Sequence, residues 1–226
     1  DYHTGMKVNG VAELLYDYTS GYPYLVSRIC QLVDERVAGT EEHPSRAEAW
    51  TKEGILAAVK LLLKEPNTLF DDMTKKLLDY PQLKEMIQNI LFSGIDFPFK
   101  RETPMVDLGV TFGFLKDKNG IVAVANRIFE TQFYDMFLAE MAVNNKMYME
   151  TASNRNQFIV AGMLQMDLVM KKFYEYYEEI YSENDQKFIE ENGRKLFLLY
   201  LKPIINGTGN YYIEARTRDN RRTDII

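Results

Sequence analysis

The stretch MVDLGVTFGFLKDKNGIVAVA, Met105–Ala125, combines a short apolar helical pattern with two apolar runs. The runs, residues 113–116 and 121–125, flank the polar sequence Asp117-Lys118-Asn119-Gly120. Asn-Gly between two apolar runs is the strongest short-range signal for a β-hairpin, because both residues tolerate the left-handed backbone of a tight turn. The stretch therefore predicts a short helix, Met105–Phe112, that leads directly into a two-stranded hairpin.

The residues before this stretch predict a series of helices separated by proline- and glycine-containing breaks. Pro23 is expected in the first turn of one helix, since a proline lacks the N–H group that would be unpaired there. The predicted helices cover residues 11–18 (with Asn9 as the N-cap), 23–37, 50–65, 69–80 and 81–92. Helices followed by a short helix and a hairpin are the order of a winged-helix module.

Helices also dominate the pattern after the hairpin. Residues 127–142 predict a helix, and the polar segment Asn144–Asn156 predicts a linker. A longer helix is expected at about 158–181 and a last one at 184–205. Along the longer helix, apolar residues at spacings of three and four predict a core face. They are Met163, Met166, Met170, Phe173, Tyr177 and Ile180.

The chain closes with GTGNYYIEARTRDNRRTDII, Gly207–Ile226, where two apolar runs flank a polar turn around Asp219-Asn220. This pattern predicts a second hairpin, with Glu214 on its first strand and Asp224 near its end. Acids on strands beside concentrated positive charge suit a metal-dependent phosphodiester site, because Mg²⁺ prefers carboxylate oxygens. The neighbouring positive charges are Arg216, Arg218, Arg221 and Arg222.

The same acids have a plainer interpretation. Glu190 and Glu191 on the last predicted helix, together with Glu214 and Asp224, are also explained as surface acids and salt-bridge partners. Judged on the residues alone, this second interpretation is favoured, because structural ion pairs are common outside functional sites.

Composition limits the classes of function. A net charge of −6 and a pI of about 5.1 argue against a general nucleic-acid coat, so any polyanion contact must be local to the arginine cluster. Cys30 is the single cysteine, and its apolar neighbours predict a buried structural thiol. His3 and His43 lie in polar surroundings and are expected at the surface. The chain contains no P-loop sequence, so it does not by itself hold nucleotide phosphates in that way.

No apolar run approaches the ~20 residues of a membrane span, and no signal peptide opens the chain. We therefore expect a soluble, cytoplasmic protein with no membrane partner. The sequence begins with Asp1 and stops two residues after Asp224, from which we expect a piece of a longer protein.

The predicted winged helix raises the question of DNA binding. Its Met105–Phe112 helix contains Asp107 and no lysine or arginine, and the hairpin adds only Lys116 and Lys118. DNA binding depends on neutralising phosphates, and base reading depends on Arg, Lys, Asn or Gln. Packing or protein contact is therefore favoured over DNA reading at this module.

The segment Phe188–Ile226 resembles the front half of a PD-(D/E)XK nuclease domain, in particular the one fused to AAA-family ATPases in bacteria. The resemblance implies that Asp224, in RRTD, and Glu191, or alternatively Glu190, hold Mg²⁺, with Glu214 as a further catalytic acid. It also implies a nucleic-acid backbone held by Arg216, Arg218 and Arg222. The Glu-x-Lys pair of these nucleases is absent, so the fragment alone is expected to be inactive.

The segment YTSGYPYLVSRIC, Tyr18–Cys30, resembles the Gly-x-Pro segment in the helical lid of AAA and STAND-type ATPases. The resemblance implies that Gly21 and Pro23 open a helix that faces the nucleotide of an ATPase core. A winged helix commonly follows such a lid in STAND-type proteins. ATP would then be a ligand of the parent protein and not of this fragment alone.

Together these expectations describe a mainly α chain. Residues 1–142 are expected to form a lid and winged helix, 143–155 a linker, and 156–226 the helical start and first hairpin of a nuclease-like α/β domain. The parent would couple ATP-dependent conformational change to a metal-dependent nuclease-like domain acting on DNA or RNA. The alternative is a non-catalytic regulatory or scaffolding protein whose winged helix mediates protein–protein contacts.

Overall fold

The computed structural model describes residues 6–180 and 186–205, which are mainly helical with two small antiparallel hairpins. These residues divide into two compact units, 6–87 with 96–133 (unit 1) and 88–95 with 134–180 and 186–205 (unit 2). Unit 1 contains α1 (Val8–Thr19), α2 (Pro23–Leu32), a π-helical turn (Val33–Val37), α3 (Arg46–Ala49), α4 (Lys52–Lys64), α5 (Thr68–Asp79), α6 (Pro81–Gln88), α7 (Pro104–Thr111), β1 (Leu115–Lys118) and β2 (Ile121–Val124). The division falls near the end of α6 and within α8 (Arg127–Ala142). Unit 2 contains a second π-helical turn (Asn89–Ser93), α9 (Lys146–Ser153), a 3₁₀ turn (Arg155–Phe158), β3 (Ile159–Val160), β4 (Met163–Leu164), α10 (Met166–Ile180) and α11 (Gln186–Ile205).

The first helices of unit 1 share one apolar core. Helix α2 packs against α4, and α1 contacts both of them. Leu25 and Ile29, one helical turn apart on α2, are fully buried, as are Ile55 and Leu62 on α4. Full burial of a Leu or Ile side chain stabilises a fold by about 1.5–3 kcal/mol, so these positions fix how the helices pack.

The second part of unit 1 brings the last helices onto the first hairpin. The α7 backbone approaches β1 so closely at Gly109 that a Cβ there would lie 2.3 Å from Leu115 Cδ1 and 3.2 Å from Leu83 Cδ1. The rings of Phe112 and Tyr80 lie 5.5 Å apart. Helix α7 therefore packs on α6 and on the hairpin, and only a glycine fits at this crossing.

The hairpin is closed by a two-residue turn and extended by a third segment. Asn119 and Gly120 have φ of 58° and 82°, the paired left-handed conformation of a tight hairpin turn. The N–H of Val122 donates to the carbonyl of Phe97 at 2.8 Å, and the N–H of Phe99 donates to Gly120 at 2.8 Å. The segment between α6 and α7 thus joins the hairpin through an isolated bridge between Pro98 and Ile121.

Unit 2 is organised around α11. This helix packs against α9 and the π-helical turn, and its Tyr200 ring lies 6.0 Å from that of buried Phe158. The Leu91 carbonyl in the π-helical turn accepts hydrogen bonds from the Tyr134 hydroxyl at 2.6 Å and from Arg194 Nη1 at 3.2 Å. Side chains of α8 and α11 thus both bind this turn.

The helices predicted before and after the first hairpin are present, as is the hairpin itself. Asn9, the predicted N-cap, instead lies inside α1, which starts at Val8. The range 143–155, predicted as a linker, contains α9, because the Asn145 side chain caps this helix by accepting from the N–H of Tyr148 at 2.9 Å. Met147 of α9 is buried.

The longer helix expected at 158–181 begins only at Met166. Ala161 and Gly162 adopt φ of 52° and 78°, which ends regular structure and joins β3 to β4. The predicted core face is wrong at its start, since Met163 is 65% exposed and Met170 is 50% exposed. The apolar spacing of three and four begins only at Met163, after this turn, so it does not support a helix that starts at residue 158.

Two single residues also differ from expectation. His43 is buried and not at the surface, and its Nδ1 lies 3.2 Å from the Glu48 carbonyl oxygen. Cys30 is only half-buried, and this burial raises the pKa of its thiol. The predicted terminal hairpin, 207–226, lies outside the residues that the structure describes.

Candidate functional site

A sharp turn joins α1 to α2 at the Gly-Tyr-Pro sequence. Ser20 and Gly21 are both left-handed, with φ of 47° and 77°. The buried Thr19 hydroxyl donates to the Leu15 carbonyl at 2.7 Å and accepts from the Gly21 N–H at 3.1 Å. Because a β-branched residue is strained in this conformation, position 21 favours glycine.

Pro23 occupies the first position of α2, as predicted. Tyr22 precedes it with φ −60° and ψ 114°, an extended conformation that suits a residue before proline. Tyr22 makes no side-chain capping bond, and Pro23 and Tyr24 are exposed. The amino end of α2, with its partial positive charge, is therefore presented at the surface of unit 1.

The Tyr22 ring anchors the turn to the start of the hairpin. It packs edge-on against Phe129 with ring centroids 5.2 Å apart. A Cβ at Gly113, which has φ of 75°, would lie 3.1 Å from Tyr22 Cε2. Gly113 therefore supplies both the left-handed backbone and the space that the tyrosine ring needs.

Two cations connect the carboxyl end of α1 to the hairpin and to α8. Lys116 Nζ donates to Ser20 Oγ at 2.9 Å. Arg127 pairs with Asp17 and places its guanidinium 5.0 Å from the Tyr18 ring. Positive charge near a helix carboxyl end is favourable, so both contacts stabilise the end of α1 just before the turn.

The ammonium of Lys116 is half-buried, and its pKa is lower than that of an exposed lysine. Burial lowers the pKa of Lys116, and the charge of Lys118 lowers it further. Lys116 was not foreseen as part of this region, because 96 residues separate it from Ser20. The only available signal was its place on a predicted strand of the hairpin.

The structure describes only some of the predicted site residues. Gly21 and Pro23 meet in one exposed turn. Glu191 lies on α11, but its side chain is not among those described. The other predicted site residues belong to the undescribed segment after Ile205: Glu214, Arg216, Arg218, Arg222 and Asp224.

The described ranges also bear on the expected metal ion and on the question of a membrane span. Within residues 6–180 and 186–205, no group of three His, Cys, Asp or Glu side chains is placed to hold a metal ion. In the same ranges, no helix combines the length and apolar character needed to cross a bilayer.

The arrangement can present backbone N–H groups and a lysine to an anion at one edge of unit 1. Unlike a metal centre, such an edge requires no convergent carboxylates. No family model, curated protein or solved structure matches this chain.

Proposed function

We propose that the residues up to Ala142 are the lid and winged helix of an AAA or STAND-type ATPase, with the Gly21–Pro23 turn facing the nucleotide of an ATPase core. The observation that carries this proposal is the exposed amino end of α2, which follows the left-handed Ser20-Gly21 pair. Helix amino ends attract phosphate groups through their free N–H groups and dipole. The half-buried Lys116 adds a positive charge beside the turn.

The packing of α7 against β1 and α6 at Gly109 supports the winged-helix part of the proposal. Helix α7 would be the groove-reading helix of a DNA-binding module, yet its Asp107 pairs with Arg101 at 2.9 Å. Helix α7 carries no lysine or arginine of its own. We therefore assign this module to packing or protein contact and not to DNA reading.

For the residues after α9 we propose the start of a PD-(D/E)XK nuclease-like domain acting on DNA or RNA. Asp224 and Glu191 would hold Mg²⁺ with Glu214 nearby, and Arg216, Arg218 and Arg222 would bind the phosphate backbone. Mg²⁺ bound there would polarise the phosphate and activate water. This part of the proposal rests on the sequence resemblance of 188–226.

The proposal is tested first by reading the coding sequence on both sides of the segment that encodes these residues. A P-loop sequence upstream and a Glu-x-Lys within about 20 residues downstream, a strand-plus-turn length, are expected. If an uninterrupted reading frame carries neither sequence, the ATPase and nuclease assignments both fail.

The second test is ATP hydrolysis by the full-length protein carrying Gly21→Val. Valine at a left-handed position costs about 1–3 kcal/mol of strain, so hydrolysis should fall about tenfold if the turn faces the nucleotide. Gly39→Val is the matched control, because Gly39 has φ of 85° and open space around a Cβ. Equal losses in the two variants would mean that only stability was affected.

A non-catalytic scaffold is the second candidate function. It is favoured by the Asp107–Arg101 pair, which neutralises the one charge on α7. A full-length protein that neither hydrolyses ATP nor cleaves nucleic acid, yet binds a partner through α7 and the hairpin, would establish it.

A further inference from the structure

The hairpin of unit 2 leaves one of its edges uncovered. Among the described residues, β3 and β4 pair with each other and form a sheet of two strands. The N–H of Ile159 on β3 donates to the Asn156 carbonyl, so the 3₁₀ turn covers the start of this strand. On β4, by contrast, Met163 is 65% exposed and Leu164 is 36% exposed. The open edge of the sheet is therefore β4.

The composition of this hairpin does not protect that edge. Natural sheets keep edges from pairing with charged side chains, proline, bulges, short strands or a covering segment. Residues 158–165, FIVAGMLQ, contain no charged residue and no proline. Shortness is thus the main protection that β4 has within the described residues, and a hairpin of two strands is marginal on its own. An added strand would both cover the edge and stabilise the hairpin.

Helix α11 brings the chain back to this hairpin. Its Tyr200 ring lies 6.0 Å from the ring of Phe158, the residue directly before β3. The helix continues for five residues beyond Tyr200, about 7.5 Å at the usual rise, and ends at buried Ile205. The chain therefore leaves α11 within unit 2 and a short distance from the hairpin.

The sequence after α11 suits a strand within reach of β4. Residues 206–226 lie outside the described residues. The first five, NGTGN, are polar, and their two glycines allow the chain to reverse direction. Five extended residues span up to about 17 Å, more than the ~7.5 Å by which α11 passes Tyr200. Tyr211, Tyr212 and Ile213 then form an apolar run of residue types that favour strands.

The short connection favours this segment over a separate partner. A segment tethered by a short flexible linker has an effective concentration in the millimolar range, and a partner protein would have to compete with it. Pairing with a free strand edge relies on main-chain hydrogen bonds, so it requires no preformed pocket.

We infer that residues 211–213 add to the edge of β4 as a third strand. The second edge of this strand remains free for the predicted pairing with residues 223–226. The sheet of unit 2 would then continue into the terminal hairpin and hold Glu214, which directly follows the added strand. The inference rests on the open edge and on the reach of the chain, and it does not depend on ATP hydrolysis or nuclease activity.

The test measures the proximity of the terminal segment to β4 in the 226-residue chain. A nitroxide is attached to Ala215→Cys in a Cys30→Ser background, and the methionine methyl groups carry ¹³C for NMR. The nitroxide should broaden the Met163 signal, and reduction with ascorbate should restore it. The shift of buried Met73 in unit 1 reports whether the fold is unchanged in each variant.

A charge within the apolar run should release the segment. Ile213→Lys should weaken docking about tenfold or more, the scale of burying one isoleucine, and the broadening of Met163 should fall accordingly. Thr217→Lys adds the same charge outside the run, is the matched control and should leave Met163 broadened.

A mixed sample distinguishes the chain's own segment from that of a second copy. Nitroxide-labelled chains without ¹³C are mixed with ¹³C-labelled chains without nitroxide, and Met163 should stay sharp. Broadening in this mixture would make a second copy the occupant and overturn the inference. A Met163 signal that the nitroxide never broadens, or that Ile213→Lys leaves as broad as before, would also overturn it.

Discussion

The ammonium of Lys116 on β1 donates a 2.9 Å hydrogen bond to the hydroxyl of Ser20, the left-handed residue that ends α1. This contact joins the first hairpin to the turn that opens α2. Arg127 at the start of α8 pairs with Asp17 and makes a second connection to the same helix end. A change in the position of the turn would therefore reach the hairpin through Lys116 and the start of α8 through Arg127, both within unit 1.

Replacing Lys116 with methionine should change how stability depends on pH. Burial lowers the pKa of Lys116 in the folded state, so the cost of keeping it charged is present at all pH values below that folded pKa. The cost is relieved as pH rises from the folded pKa towards the unfolded value of about 10.4, because the unfolded state then binds more protons.

The wild-type free energy of unfolding should therefore rise relative to Lys116→Met across the alkaline range. Urea unfolding between about pH 7 and pH 10 measures the difference, with the exposed Lys100→Met as the control. A difference that stays constant with pH would contradict the burial of this ammonium.

The Arg28–Glu65 pair predicts a pH dependence of stability in the acid range, because it stabilises the charged form of Glu65. Arg28 donates two hydrogen bonds to the Glu65 carboxylate, at 2.8 Å and 2.6 Å, and this lowers the pKa of Glu65. The resulting stabilisation is present above the unfolded pKa of about 4.3 and is lost as pH falls through the folded value. Glu65→Gln should cost about 1 kcal/mol at neutral pH and nothing in strong acid.

Denaturant unfolding of Glu65→Gln at pH 7 and below pH 4 checks this expectation. Glu41→Gln, in an exposed loop, is the control. A loss of stability for Glu65→Gln that persists unchanged into acid would show that charge pairing is not its origin.

Two glycine substitutions should have opposite effects on the free energy of unfolding. Gly109→Ala would place a Cβ 2.3 Å from Leu115 Cδ1 and should lower the free energy of unfolding by about 1–3 kcal/mol. Gly10→Ala, on α1 with no atom within 4 Å of the new Cβ, should raise it by about 0.5–1 kcal/mol through helix propensity. Thermal unfolding of both variants measures the contrast, and stabilisation by Gly109→Ala would contradict the α7–β1 crossing.

The nuclease-like part makes a prediction for the full-length protein. Asp224→Asn should reduce Mg²⁺-dependent cleavage of DNA or RNA at least about a hundredfold, since even outer-shell partners of a metal site contribute about 10–100-fold. Glu191→Gln should reduce cleavage to the same extent. Glu190→Gln should leave cleavage unchanged if Glu191 is the helix acid that holds the metal ion, and should reduce it if Glu190 is. Cleavage that survives both Asp224→Asn and Glu191→Gln would remove these residues from the site.

Local signals explain which elements could be read from the sequence. Asn119-Gly120 specified the first hairpin because both residues favour left-handed backbone, and Pro23 marked the start of α2. The Ala161–Gly162 turn was missed, although the methionine and aromatic spacing of three and four begins only at Met163, after the turn. The burial of His43 depends on packing that its polar neighbours do not reveal.

The candidate site could be predicted only in part, for a related reason. Gly21 and Pro23 form a local sequence feature, so their turn was recognisable. Lys116 approaches Ser20 across 96 residues, and no spacing rule connects residues that far apart. Contacts of this kind come from how the helices and hairpin of unit 1 pack.

The most direct test of the account is photolabelling of the full-length protein with 8-azido-ATP, followed by mass spectrometry of the labelled peptides. If the Gly21–Pro23 turn faces the nucleotide, an adduct should appear within residues 20–27, and excess ATP should suppress it. Saturable labelling elsewhere in the protein, with none in residues 20–27, would contradict the assignment of this turn.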